Sequence, residues 1–196
     1  MKFPLYQNLI SATLEGLSLA RDEFTTLTGS DDWGEWIDYP EYMVGSCIMR
    51  HIKSRVPQVR VWPEVAPRFV SSAKDIRQGR IDIVIDDEND TPITVIEVKA
   101  NIGLEKDFEA KGVKEDIERL CAILNAPLSA KLSLGLFAFI ANRDDTLLGK
   151  TLPNIEKLCA EVARAKGLKL QAYSKKLERS DKKWEAYAIV YAITKE

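Results

Sequence analysis

One histidine and three cysteines are all that this 196-residue chain contains of the two residue types most used to hold transition metals. His51 alone builds neither a zincin helix nor a multi-histidine zinc site, and histidine-rich nuclease and phosphohydrolase motifs fall with them. A Ser-His-Asp device would have to use His51, and no Gly-x-Ser-x-Gly elbow accompanies it. Cys47, Cys121 and Cys159 are odd in number, far apart and without a Cys-x-x-Cys, so each reads as a small buried hydrophobe in a reducing compartment. Walker loops and Gly-x-Gly-x-x-Gly are missing too, which removes the best sequence support for a nucleotide-binding fold. No apolar run approaches the ~18 to 20 residues of a membrane span. The start, Met-Lys-Phe-Pro-Leu-Tyr-Gln, turns polar too early for a secretory h-region. The expectation is a soluble, cytoplasmic protein with no membrane partner, whose chemistry, if it has any, is done by carboxylates and lysines.

What is present describes one ordinary globular domain over residues 1–196: 45% hydrophobic residues, 30% charged, ten Gly and eight Pro. The net charge of -2 and the pI near 5.7 argue against a general nucleic-acid coat protein. An enzyme with local contacts to nucleic acid remains compatible with them.

Leu5, Leu9, Ile10, Leu14, Leu17 and Ala20 recur at helical spacing, and a loop with Gly29, Gly34 and many acids is expected next. Between Asp22 and Glu41 this stretch carries seven acids and no Lys or Arg, together with Trp33 and Trp36. A second helix is expected after Pro40, ending at Pro57, and then a short strand from Gln58 to Trp62 stopped by Pro63. Trp62 is expected in the core. Residues 79–86 place Ile81, Ile83 and Ile85 on one face of a strand; Asp87-Glu-Asn-Asp90 reads as a hairpin loop, and residues 92–100 return as its partner. A helix over 106–125, a strand buried on both faces over 132–141, a helix near 151–166 capped by Gly167, and two closing strands near 168–174 and 185–193 complete the order. The fold class is therefore α/β, a mixed β-sheet flanked by helices.

Chemistry concentrates in the hairpin. Glu97 and Lys99 are two apart on a strand and point the same way, together with Ile93 and Val95. Asp82 lies on the preceding strand opposite in sense to Ile81 and Ile83. Antiparallel pairing around residues 87–90 brings it beside Glu97, where two carboxylates repel unless a cation or proton lies between them. Two hard carboxylates and a strand carbonyl, that of Val98, suit Mg²⁺ with several waters retained, and Mn²⁺ can substitute. Lys99 is placed to orient an attacking water or to meet charge on a phosphorane-like transition state.

Gly79-Arg-Ile-Asp82 followed by Ile96-Glu-Val-Lys99 resembles the PD-(D/E)XK nuclease superfamily, whose fold is restriction-endonuclease-like. The resemblance spans about residues 40–141, with Ile81 where the family name has proline. It implies Asp82 and Glu97 as metal ligands, Lys99 as the catalytic lysine, and Glu41 in Pro-Glu-Tyr-Met as an auxiliary acid on the metal side, with Glu64 a weaker rival. Glu41 reads equally as a first-turn acid favourable to the helix dipole. Glu-x-Lys alone is a short pattern, and Glu109-Ala-Lys111 repeats it inside a helical stretch.

The implied activity is Mg²⁺-dependent hydrolysis of DNA phosphodiester bonds, with RNA as an open second substrate and a homodimer as the arrangement that would cut both strands. Lys111, Lys114 and Arg119 on the following helix, and Lys175 and Lys176 within the basic stretch from Arg164 to Lys183, are candidate phosphate contacts, or simply a solvated face. His51 reads as a helix-surface residue. The alternative function is a catalytically silent nuclease fold kept as a nucleic-acid-binding or protein-interaction module. A third reading gives the acidic Trp stretch to a partner protein.

Overall fold

The structure is a computed structural model in which residues 2–29, 40–73, 76, 79–102, 107–177 and 184–195 are described. The elements are α1 (Lys2–Thr28), α2 (Glu41–Arg55), β1 (Arg60–Val65), a 3-10 turn (Pro67–Phe69), β2 (Ile81–Asp86), β3 (Pro92–Lys99), the one-turn α3 (Asp107–Ala110), α4 (Val113–Asn125), β4 (Leu134–Asp144), α5 (Asp145–Ala165), β5 (Leu168–Lys176) and β6 (Trp184–Lys195). The strands form one mixed sheet in the order β1-β2-β3-β4-β6-β5. Only β3 and β4 run parallel. A parallel neighbour cannot be reached by a tight turn, and the stretch carrying α4 makes that crossover.

Helices cover both faces. On one, Leu9 and Leu17 of α1 and Val44, Ile48 and Ile52 of α2 pack on Ile83, Ile85, Ile96 and Val98. On the other, Ile117, Leu120 and Leu124 of α4 and Ile155 and Cys159 of α5 pack on Val95, Phe137, Phe139 and Tyr191. β4 feeds both cores in alternation, Leu134, Leu136 and Ala138 to the first and Phe137 and Phe139 to the second, as its unbroken apolar sequence predicts. All three cysteines are buried on helices. Among the described residues no helix is long and apolar enough to cross a membrane.

Several expectations are corrected. α1 runs on to Thr28, because Phe24 extends the buried stripe of Leu17 and Ala20 while Asp22 stays on the outer side. The hydroxyls of Thr25, Thr26 and Thr28 bond back to carbonyls four residues earlier, satisfying themselves within the helix. β1 does not stop at Pro63, which pairs with Ile83; an edge strand tolerates a missing N–H on its open side. Trp62 is 47% exposed rather than core, with its indole N–H donated to Asp86 Oδ2 at 2.8 Å, because no further strand covers this edge. The 106–125 stretch is two helices, broken at Gly112 with φ 68°. Ile93 packs on the α1/α2 side, not with Val95, because the β2–β3 register slips between Ile85 and Asp86 and a bulge inverts the alternation. Ile81 sits in the α4/α5 core, apart from Ile83 and Ile85.

The two helices on the first face cross closely at Gly16, where an added Cβ would lie 2.6 Å from Ile48 Cα. Backbone cannot yield as a side-chain tip can, so Gly16→Ala is expected to cost about 1–3 kcal/mol. Gly45→Ala meets open space within the N-terminal half of α2 and is expected to gain up to ~1 kcal/mol. Urea unfolding of the two variants checks the contrast in sign.

Candidate active site

The antiparallel ladder pairs Ile83 with Ile96, so one step along it Asp82 lies beside Glu97. Asp82 Oδ2 accepts the backbone N–H of Val98 at 2.7 Å, which fixes its carboxyl against β3. The N–H and C=O of one strand residue share an edge, and the Val98 carbonyl is therefore directed to the same side. Lys99, at the end of β3, is reached from both faces of the sheet. Its Nζ lies 3.6 Å from Glu41 Oε2 at the start of α2 and 3.0 Å from Asp116 Oδ2 on α4. Arg119, one turn further along α4, brings Nε to 2.9 Å from Glu97 Oε1 and donates through Nη2 to Asp116 Oδ1. Four carboxylates thus meet two fixed cations at one end of one strand pair.

Burial sets their protonation. Glu97 is 1% exposed, and desolvation pushes its carboxyl up to about 9, with Arg119 opposing and Asp82 and Asp116 adding to the rise. Desolvation also lifts Asp82 above the usual carboxylate range, against the Val98 N–H and the Lys99 charge. For Lys99 burial works against the ammonium, but Asp116 and Glu41 outweigh it and hold the amine protonated. Glu97 Oε1, Asp116 Oδ2 and Arg119 Nε are buried and in ion-pair contact, yet none makes an aligned hydrogen bond. Charge is met there at short range, but the hydrogen bonding of these buried atoms is incomplete, and that is costly.

Mg²⁺ needs only one or two carboxylates and keeps several waters, so Asp82, Glu97 and the Val98 carbonyl are the right donors in kind. In this arrangement, however, no group of three or more His, Cys, Asp or Glu side chains converges to hold a metal among the described residues. Arg119 takes the place beside Glu97.

Asp82, Glu97, Lys99 and Glu41 are therefore together, drawn from β2, β3 and α2. Glu64 lies opposite Asp82 on β1, exposed, with a left-handed φ of 54° and its carbonyl accepting from Arg80 at 3.1 Å. Lys114 is on α4, whereas Lys111 is in the turn before it, its Nζ donated to the Asn101 carbonyl at 2.9 Å. Lys175 and Lys176 lie at the same end of the sheet as Lys99, since Lys99 aligns with Phe139, Ile189 and Ser174 across three strand spacings, ~14 Å. Lys176 Nζ stacks on the Tyr187 ring at 5.9 Å. Glu109 is exposed on α3, so the second Glu-x-Lys has no strand context. His51 pairs with Glu15 of α1 at 2.7 Å. Residues 178–183 of the basic stretch and 30–39 of the acidic one, including Trp33 and Trp36, lie outside the described residues.

From sequence alone Asp116 stays out of the site, and Arg119 reads as a solvated helix face or a phosphate contact. The signal for Asp116 is its position: an acid within the stripe Val113, Ile117, Leu120 and Leu124 of α4 faces inward and needs a partner there. No family model matches this chain, and no curated protein or solved structure matches it.

Proposed function

We propose that the chain is a Mg²⁺-dependent nuclease with a restriction-endonuclease-like core, hydrolysing DNA phosphodiester bonds in the cytoplasm. One observation carries the reading: Asp82 and Glu97 side by side across β2 and β3, with Lys99 two residues on and held between Glu41 and Asp116. Asp82, Glu97 and the Val98 carbonyl would hold the ion, with Glu41 on its outer side. Bound there, Mg²⁺ supplies a water of lowered pKa and neutralises charge on the phosphate. Lys99 stays charged in this setting and donates hydrogen bonds to the attacking water or to the phosphate oxygens. Lys175 and Lys176 face the same end of the sheet and are placed for flanking phosphates; a second copy of the chain would serve the other strand.

The test is a cleavage assay with supercoiled plasmid, linear duplex, single strands, branched DNA and RNA, each in Mg²⁺, Mn²⁺ or EDTA, beside Lys99→Ala. Metal-dependent cutting that the variant loses is the expected result. Cutting that survives in EDTA or in Lys99→Ala overturns the reading. The second reading is a catalytically silent module of the same fold that binds nucleic acid or a protein. The Arg119 guanidinium 2.9 Å from Glu97, on the carboxyl a metal would use, favours it. It predicts metal-independent binding and no cleavage.

A further inference from the structure

Arg119 is tied to its surroundings by links of unequal strength. Its Nη2 donates to buried Asp116 three residues back on the same helix, and its Nη1 is 3.4 Å from the Arg80 carbonyl. A Cβ on Gly79 would come within 2.9 Å of that Nη1, so the glycine leaves the guanidinium its room. The Nε is 2.9 Å from Glu97 Oε1, but its N–H is not aimed at the oxygen. Asp116 anchors the group, and Glu97 merely has it nearby. The Arg119 guanidinium and the Lys99 ammonium carry one charge each, whereas the site gathers four acids, Glu97, Asp82, Asp116 and Glu41. A compact divalent ion would answer that field better.

We propose that Arg119 is a tethered stand-in for the divalent cation, so that its contact with Glu97 and occupation of the cation site exclude one another. The inference rests on the metal reading of the Asp82–Glu97 pair and adds its regulation: Arg119 must swing away from Glu97, pivoting on Asp116, before that carboxylate can ligate. The rearrangement stays on α4, and the fold need not open.

The experiment is Mn²⁺ binding to the full chain without nucleic acid, followed by the EPR signal of the free ion and by the Mn²⁺-induced rise in melting temperature. Arg119→Gln is expected to bind about tenfold more tightly than the unsubstituted chain, and to gain more in melting temperature from the ion. Arg119→Lys retains a charge near Asp116 but cannot span both carboxylates, so about threefold tighter binding is expected, and this variant keeps the test open should Arg119→Gln not fold. Arg80→Gln removes a neighbouring charge that touches no carboxylate at this site and is expected to leave the affinity unchanged. Equal or weaker binding by the Arg119 variants overturns the proposal, as does equal strengthening by Arg80→Gln. If all the proteins bind equally and Asp82→Asn abolishes binding, only this proposal falls. If none binds Mn²⁺, the metal reading falls and takes this proposal with it.

Discussion

Asp82→Asn is expected to lower the rate of phosphodiester cleavage by about 10²–10³-fold while leaving the fold intact, the range typical for removing one preorganised electrostatic group. Asparagine keeps the shape and an oxygen that can still accept the Val98 N–H, so the end of β3 retains its hydrogen bond. What disappears is one of the two carboxyls that a bound hard cation would hold in their ionised form, and with it half of the side-chain donor set. Because burial already disfavours the Asp82 carboxylate, the neutral side chain is not expected to destabilise the protein. Single-turnover cleavage at saturating Mg²⁺, with the melting temperature as a folding control, checks both halves. Lys99→Ala should match the loss in rate, but it also leaves buried Asp116 without its ammonium and should cost about 1–3 kcal/mol. A cleavage rate for folded Asp82→Asn within threefold of the unsubstituted chain would remove this carboxylate from the chemistry.

How far the site was legible follows from which periodicity each member obeys. Asp82, Glu97 and Lys99 lie on strands joined by a short hairpin, where a period of two fixes the face and the loop fixes the register. The loop itself behaves as its residues suggest: Asp87 Oδ1 accepts the N–H groups of Asn89 and Thr91, and Asp90 takes a φ of 56°. Glu41 enters only through the family resemblance, which implies an acid on a helix upstream of the hairpin; its own sequence context reads equally as a first-turn acid. Asp116 and Arg119 depend instead on how α4 packs after the parallel crossover, which no local pattern specifies. The misreadings have the same origin. Trp62 looks like core in any window of sequence, and its exposure follows only from β1 being an edge. Ile93 changes face through a bulge that the apolar pattern does not announce. The polar half of α1 resembles a loop until α2 is packed against it, with Arg50 of α2 paired to Glu23.

Glu97→Gln is expected to make the metal-free protein more stable at neutral and alkaline pH, by an amount on the order of a few kcal/mol. In the folded chain the Glu97 carboxyl is pushed up to about 9, whereas the unfolded chain releases the same proton near the ordinary value of 4.5. Between those values the folded state binds more protons than the unfolded state. Stability therefore falls as pH rises across that window, by about 1.4 kcal/mol per pH unit for one such group. Its contribution is fully present below the unfolded value and is lost on passing through the folded one. Glutamine carries the same bulk and no titration, so its advantage should grow from nothing near pH 4.5 to its maximum above pH 9. Urea midpoints in EDTA across that range measure the difference. The competing outcome is a Glu97→Gln variant less stable at pH 8, which would mean that the Arg119 ion pair outweighs burial and keeps the carboxylate charged. In that case the cation site would be poised without losing a proton, and Mn²⁺ binding would release none. The midpoints and the proton count on Mn²⁺ addition must therefore agree: a stabilising glutamine goes with proton release on metal binding at pH 7, and a destabilising one goes with its absence.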